Sequence, residues 1–118
     1  MADKGDFQSV VDNDEFVTIP SGTTTSTHFD CKGMIVKGIN IPSAFTSASL
    51  RLQSSPTIDG VYNDLYNQNG VRFDVVTLAN RNIRWDDIDC TGEKFIRFVS
   101  ASNEAADRQI RLILIVKR

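Results

Sequence analysis

Histidine occurs once in this chain, cysteine twice and glutamate three times. That leaves little raw material for a zinc site or for an imidazole-based catalytic group. The longest unbroken aliphatic run covers only residues 112–116, too short for a membrane-spanning helix. The opening Met-Ala-Asp-Lys-Gly-Asp has no apolar core of the signal-peptide kind, so no export signal is expected. A basic excess is missing as well. Lys plus Arg total 13 against 15 Asp plus Glu, a formal charge of −2, whereas a nucleic-acid binder normally carries a basic stripe. No cofactor, no nucleic acid and no membrane are expected, and the chain does not read as an enzyme.

What is present points one way. Val (10), Ile (11) and Thr (9) far outnumber Ala (7) and Leu (6), and β-branched side chains pack better on a pleated surface than on a helix. Twelve of the 15 acids are Asp, joined by 8 Asn and 10 Ser, residues that bond their own local backbone and favour turns. At 118 residues the chain makes one domain.

Period-two alternation locates the strands. Residues 1–15 are polar and read as an N-terminal arm, flexible alone or ordered by a partner, with Phe7 as an apolar anchor. Residues 16–19 form a first strand, closed by Pro20-Ser21-Gly22. The run Thr23-Thr24-Thr25-Ser26-Thr27 is expected as an exposed edge strand leading into His28-Phe29. Residues 34–41 (MIVKGINI) are apolar on both faces, and Gly38 suggests a bulge or a close backbone approach. Residues 49–54 alternate, Tyr62 and Tyr66 fall in a polar loop, and Asn69-Gly70 is a hairpin dipeptide. Residues 71–75, 82–85, 95–100 and 109–117 complete the set. About eight strands without substantial helix predict an all-β, single-domain antiparallel β-sandwich over residues 16–118, of jelly-roll form.

Several segments in fixed order carry a resemblance. They are Val17-Thr18-Ile19-Pro20-Ser21-Gly22, Ile39-Asn40-Ile41-Pro42-Ser43-Ala44-Phe45, Leu50-Arg51-Leu52-Gln53-Ser54-Ser55 and Asp59-Gly60-Val61-Tyr62-Asn63-Asp64-Leu65-Tyr66, followed by Phe95-Ile96-Arg97-Phe98-Val99-Ser100. Over roughly residues 16–117 the chain resembles the small jelly-roll capsid decoration, or cement, proteins of tailed bacteriophages. The resemblance implies a structural virion protein on the capsid surface, assembled in the host cytoplasm, that bridges major capsid subunits as a homo-oligomer, a dimer or trimer. Related jelly-rolls also occur in phage tails and fibres, so a carbohydrate- or receptor-binding module is the alternative. The family offers no catalytic motif to carry over.

Candidate contact residues follow from residue type. Tyr62, Tyr66 and Trp85 could stack on a sugar ring, although Trp85 alternates with Ile83 and reads as core. An exposed tyrosine equally suits a protein interface. Arginine makes two-pronged bonds to carboxylates, and Arg97 and Arg111, set in apolar strands, are expected to face a partner. With Phe7, Tyr62 and Tyr66 they form the candidate partner-contact set. His28 reads as a partly exposed strand residue, and Asp12-Asn13-Asp14-Glu15 and Asp86-Asp87-Asp89 as solvated turns lacking EF-hand spacing. Pairing of Cys31 with Cys90 would add about 4 kcal/mol on a chain-entropy model. Given the reducing cytoplasm that the resemblance implies, two free buried thiols are expected.

Overall fold

The computed structural model describes residues 8–10, 15–46, 48–85 and 92–117. Among them lie ten strands and no helix: β1 (Gln8–Val10), β2 (Phe16–Ile19), β3 (Phe29–Asp30), β4 (Ile35–Ile41), β5 (Leu50–Ser55), β6 (Asn63–Asp64), β7 (Asp74–Val75), β8 (Arg81–Arg84), β9 (Phe95–Ser100) and β10 (Arg108–Lys117). All pairings are antiparallel.

The strands divide into two sheets. In the first, β1 and β2 follow one another along one side of β10, β4 takes its other side, and β8 is the edge beyond β4. In the second, β3 pairs β9, β9 pairs β5, and β6 and β7 share the far side of β5. Counting β1 with β2, and β6 with β7, as interrupted single strands leaves eight. Their spatial orders are then 1-8-3-6 and 2-7-4-5, which is one long antiparallel hairpin rolled up until strand 8 meets strand 3 and strand 7 meets strand 4. This is a jelly-roll sandwich. The sequence assigned residues 8–10 to the arm, whereas here they extend the first sheet, Val10 opposite Ile115. Phe7 lies outside the described residues.

Alternation explains the core. Val17 and Ile19 of β2 point inward and are fully buried, while Phe16 and Thr18 face out. Ile39, Ile41, Ile110 and Leu114 of the first sheet join Leu50, Leu52, Ile96 and Phe98 of the second in one cluster. Each such side chain contributes about 1.5–3 kcal/mol when fully buried. In β4 the register against β10 shifts by one residue, Ile113 facing Gly38 but Leu114 facing Val36. Lys37 is therefore the extra residue of a bulge, which turns Val36 to the same face as Ile39 and Ile41, while Ile35 pairs with Ile115 on the other face. Gly38 beside it has no room for a side chain, since a Cβ would stand 2.2 Å from the Ile83 carbonyl oxygen. Both readings of this glycine hold.

The threonine run meets its expectation in part. Thr25 bridges to β9 opposite Val99, flanked by backbone bonds from Ser26 N to the Phe98 carbonyl (2.8 Å) and from Ser100 N to the Thr24 carbonyl (2.7 Å), but no continuous strand forms between Ile19 and Phe29. Hydroxyls take up further backbone groups: Thr27 Oγ1 accepts from the Thr18 N–H, and Ser26 Oγ from the Phe98 N–H. Such local bonds compete with a regular ladder.

At one end of the sandwich, the loops of residues 20–28, 77–80 and 101–107 are cross-tied with residues 42–46 and 48–49. Glu104, only 2% exposed, anchors them. Its carboxylate accepts from Thr46 N (3.2 Å), Thr46 Oγ1 (2.5 Å) and Arg108 Nε (3.0 Å), and its carbonyl accepts from Gly22 N (3.0 Å). Ser21 N donates to Asp107 Oδ1 (2.7 Å), and Thr77 Oγ1 to the Ala48 carbonyl (2.6 Å).

Candidate functional site

The roll stacks β8 of the first sheet over β6 and β7 of the second, so three short edge strands share one flank. Between β6 and β7 the chain leaves the sheet as a small hairpin, closed by the bridge Tyr66–Arg72. Its turn is held by Asn67, whose side-chain oxygen accepts from the N–H groups of Asn69 and Val71, and by Gly70 at a φ of 79°. This is the hairpin that Asn69-Gly70 signalled. A cleft of about 730 Å³ opens between hairpin and β8, with Tyr66, Phe73, Val76, Ile83, Arg84 and Trp85 among its walls.

Its floor is rigid. Phe73 and Trp85 meet edge to face, ring centres 5.1 Å apart, a favoured arrangement of aromatic quadrupoles. Trp85 Nε1 donates to the Val36 carbonyl (2.8 Å) and its backbone N–H to the Lys37 carbonyl (3.0 Å). Both rings pack partly buried against the core, as the alternation with Ile83 implied. The rim is apolar and open: Tyr66 is 54% exposed, Val71 60% and Val76 84%. Tyr66 and Trp85 are thus brought together, whereas Tyr62 is not with them.

Tyr62 stands on the outer face of the second sheet. The Arg97 guanidinium lies over its ring at 4.6 Å from the centroid, and His28 stacks near it at 6.1 Å. Its hydroxyl donates to the Ile58 carbonyl, and burial pushes its pKa above the ordinary value. A polar ladder continues across the strands. Arg97 Nε donates to Gln53 Oε1 (2.7 Å), Gln53 Nε2 to Asp64 Oδ1 (2.9 Å), and Arg51 Nε to the same oxygen (2.9 Å). Arg72 makes a two-pronged bond to Asp74 (2.7 and 3.0 Å) and approaches Asp64 at 3.9 Å. The Gln53 hydrogen bond, then Arg51 and Arg72, hold the Asp64 carboxyl below its ordinary pKa, although burial works against them. Arg97 is half-buried in contacts of its own chain rather than projecting free.

Arg111 lies exposed on the opposite outer face, in a shallow depression with Phe16 and Asn40. Tyr66, Arg97 and Arg111 consequently sit on three separate surfaces. Cys31 is a free, buried thiol, raised to about 12 by desolvation and by the nearby Glu93 and Asp30 charges. Cys90, Asp12, Asp14, Asp86, Asp87 and Asp89 fall outside the described residues. Among those described, no three His, Cys, Asp or Glu side chains gather as a metal site would require. No helix of the described residues is long and apolar enough to cross a membrane.

Sequence reasoning passed over Glu104. Its signal was a rare glutamate four residues before Arg108, in a loop otherwise short of chemistry. The chain matches no protein-family model, no curated protein and no solved structure in the comparisons made.

Proposed function

We propose that the chain is a non-enzymatic virion component that attaches to the outer surface of a phage capsid and bridges major capsid subunits. The resemblance carried by its segments motivates the virion setting. One observation supports a binding role: Tyr66, Val71 and Val76 stand open around the flank cleft. Contiguous exposed apolar surface on a small soluble domain marks an interaction site. A homo-oligomer would engage several capsid subunits at once, so weak individual contacts add through raised effective concentration.

The test is co-sedimentation of the purified protein with shells of the major capsid protein, with and without Val76→Asp. The unaltered protein sediments with the shells and raises their rupture temperature, and the variant stays in the supernatant. Absence of the unaltered protein from the pellet overturns the proposal.

A second reading rests on the same cleft. Three aromatic rings beside the polar Asn69, Arg72 and Asp74 are the combination that holds a sugar, an apolar ring face with hydroxyls around it. Titration with host surface polysaccharide would then change the emission of Trp85, the single tryptophan, and Tyr66→Ala would abolish that change.

A further inference from the structure

Among the described residues the edge strand β8 has one partner, β4. Its register with β4 pairs Gly38 with Arg84, Ile39 with Ile83 and Asn40 with Asn82. The bond from Trp85 N–H to the Lys37 carbonyl fixes the phase of this ladder. In an antiparallel pair, residues alternate between bonding the partner strand and directing N–H and C=O away from it. Ile83 and Trp85 therefore bond β4, while Asn82 and Arg84 direct their backbone groups off the sheet, where no described strand lies.

Side chains on this edge alternate too. Ile83 and Trp85 pack toward the core and cleft, and Asn82 lies on the outer face, where Asn40 Nδ2 donates to its Oδ1 (2.7 Å). The Arg84 stem crosses the space above Gly38. Arg81 and Arg84 are both exposed and form no ion pair with a described residue. Charges on an edge strand deter stray pairing. Here they do so selectively. A second copy aligned antiparallel with Arg84 opposite Arg84 would set like charges together, so that self-pairing is disfavoured, whereas a strand bearing carboxylates is drawn in.

We propose that β8 is a docking edge for an extended segment of a partner chain in which acidic and apolar side chains alternate. The segment adds a strand to the first sheet, taking main-chain bonds from Asn82 and Arg84. Its apolar side chains enter the cleft beside Val76, Ile83 and Trp85, and its carboxylates meet Arg84 on the outer face, with Arg81 adding positive charge at the start of the strand. The inference rests on the binding role proposed above and names the surface and the chemistry of its partner.

The test uses the full chain and two capped octapeptides, alternating Glu–Val and alternating Lys–Val. The Glu peptide saturably shifts Trp85 emission and slows hydrogen exchange at the Asn82 and Arg84 amides by about tenfold, while the Lys peptide does neither. The double variant Arg81→Glu, Arg84→Glu reverses the peptide preference. Asn82→Pro, which removes an N–H that faces away from β4, abolishes binding and keeps the β-type circular dichroism. Equal binding of both peptides, or unchanged exchange at Asn82 and Arg84 under saturating Glu peptide, overturns the proposal. Protection that rises with protein concentration alone assigns the edge to a second copy and overturns it as well. Capsid co-sedimentation of the double variant is run beside these. Retained attachment with lost peptide binding sinks the docking edge alone, and no attachment even by the unaltered protein sinks the capsid role alone.

Discussion

The clamped loop end and the flank cleft invert each other's chemistry. At the loop end a carboxylate is buried, and Thr46 and Arg108 satisfy it. At the flank, aliphatic side chains are left in water and the edge backbone has no described strand beside it. A buried charge is tolerable only when its partners are in place, so the loop end is committed to the fold. An exposed apolar rim adds nothing to the isolated fold and becomes useful only against something else. Stability and binding are therefore assigned to different parts of one small sandwich, and substitutions should separate them.

The largest effect is expected at the clamp. Glu104→Ala leaves the Arg108 guanidinium, whose side chain is 16% exposed, without its counter-charge and strips the Thr46 donors of their acceptor. Removing one partner of a buried pair costs about 3–5 kcal/mol. The urea midpoint should fall accordingly, while whatever protein remains folded still binds peptide or capsid at the flank. Loss of binding in proportion greater than loss of folded protein would break the separation.

Gly38→Ala comes next because it tests the seam between the regions. The new methyl meets the Ile83 carbonyl, a backbone atom that cannot swing aside. Overpacking of this kind costs about 1–3 kcal/mol. It also displaces β8 and so the wall of the cleft, predicting a changed Trp85 emission together with the lower urea midpoint. This is the one substitution expected to injure both properties.

The pH dependence separates the outer ladder from the interior. The folded-state pKa of Asp64 lies below its unfolded value, so its contribution is present above about pH 4 and is lost as pH falls through the folded value. Asp64→Asn should flatten that acid limb of urea midpoint against pH. Cys31 acts in the opposite sense. Its thiol is pushed up to about 12, so above its ordinary value the unfolded chain releases a proton that the folded one keeps, and stability declines as pH rises. Cys31→Ala should shallow this alkaline limb, and an unchanged slope would remove the thiol from the account.

The strands were legible where one face is apolar and the other is not: residues 95–100 alternate Ile96 and Phe98 against Arg97, and β9 has those bounds. Gly38 was legible because a glycine among β-branched residues has few reasons to be there. The threonine run was legible only in part: it lies against β9 at Thr25, but its hydroxyls also bond the backbone, and composition does not reveal how far a regular ladder extends. The outer-face ladder was hidden for a different reason. Gln53 meets Arg97 only through the β5–β9 register, and that register is set by the whole roll, not by either strand. The same holds for Tyr66 and Trp85, which share a cleft only because the sixth strand of the roll lies over the fifth. Glu104 finds Thr46 across 58 positions for the same topological reason.

The smallest effect on stability is the sharpest test, because two adjacent residues belong to the two regions. Val76 is 84% exposed on the cleft rim, while Thr77 is 2% exposed and donates to the Ala48 carbonyl. Thr77→Val keeps the shape but orphans that acceptor, at about 1–3 kcal/mol, and leaves the rim intact. Val76→Ser removes an aliphatic group that lies 84% exposed, so the unfolding free energy should stay within about 0.5 kcal/mol of the original. If the rim is a contact surface, the same change should weaken capsid co-sedimentation by more than about 1 kcal/mol, the scale of a residue that matters in an interface. Neighbours in sequence would then fail in opposite assays. Should Val76→Ser destabilise the fold as much as Thr77→Val, the valine is part of the packing after all, and the flank loses its claim to be a surface held open for a partner.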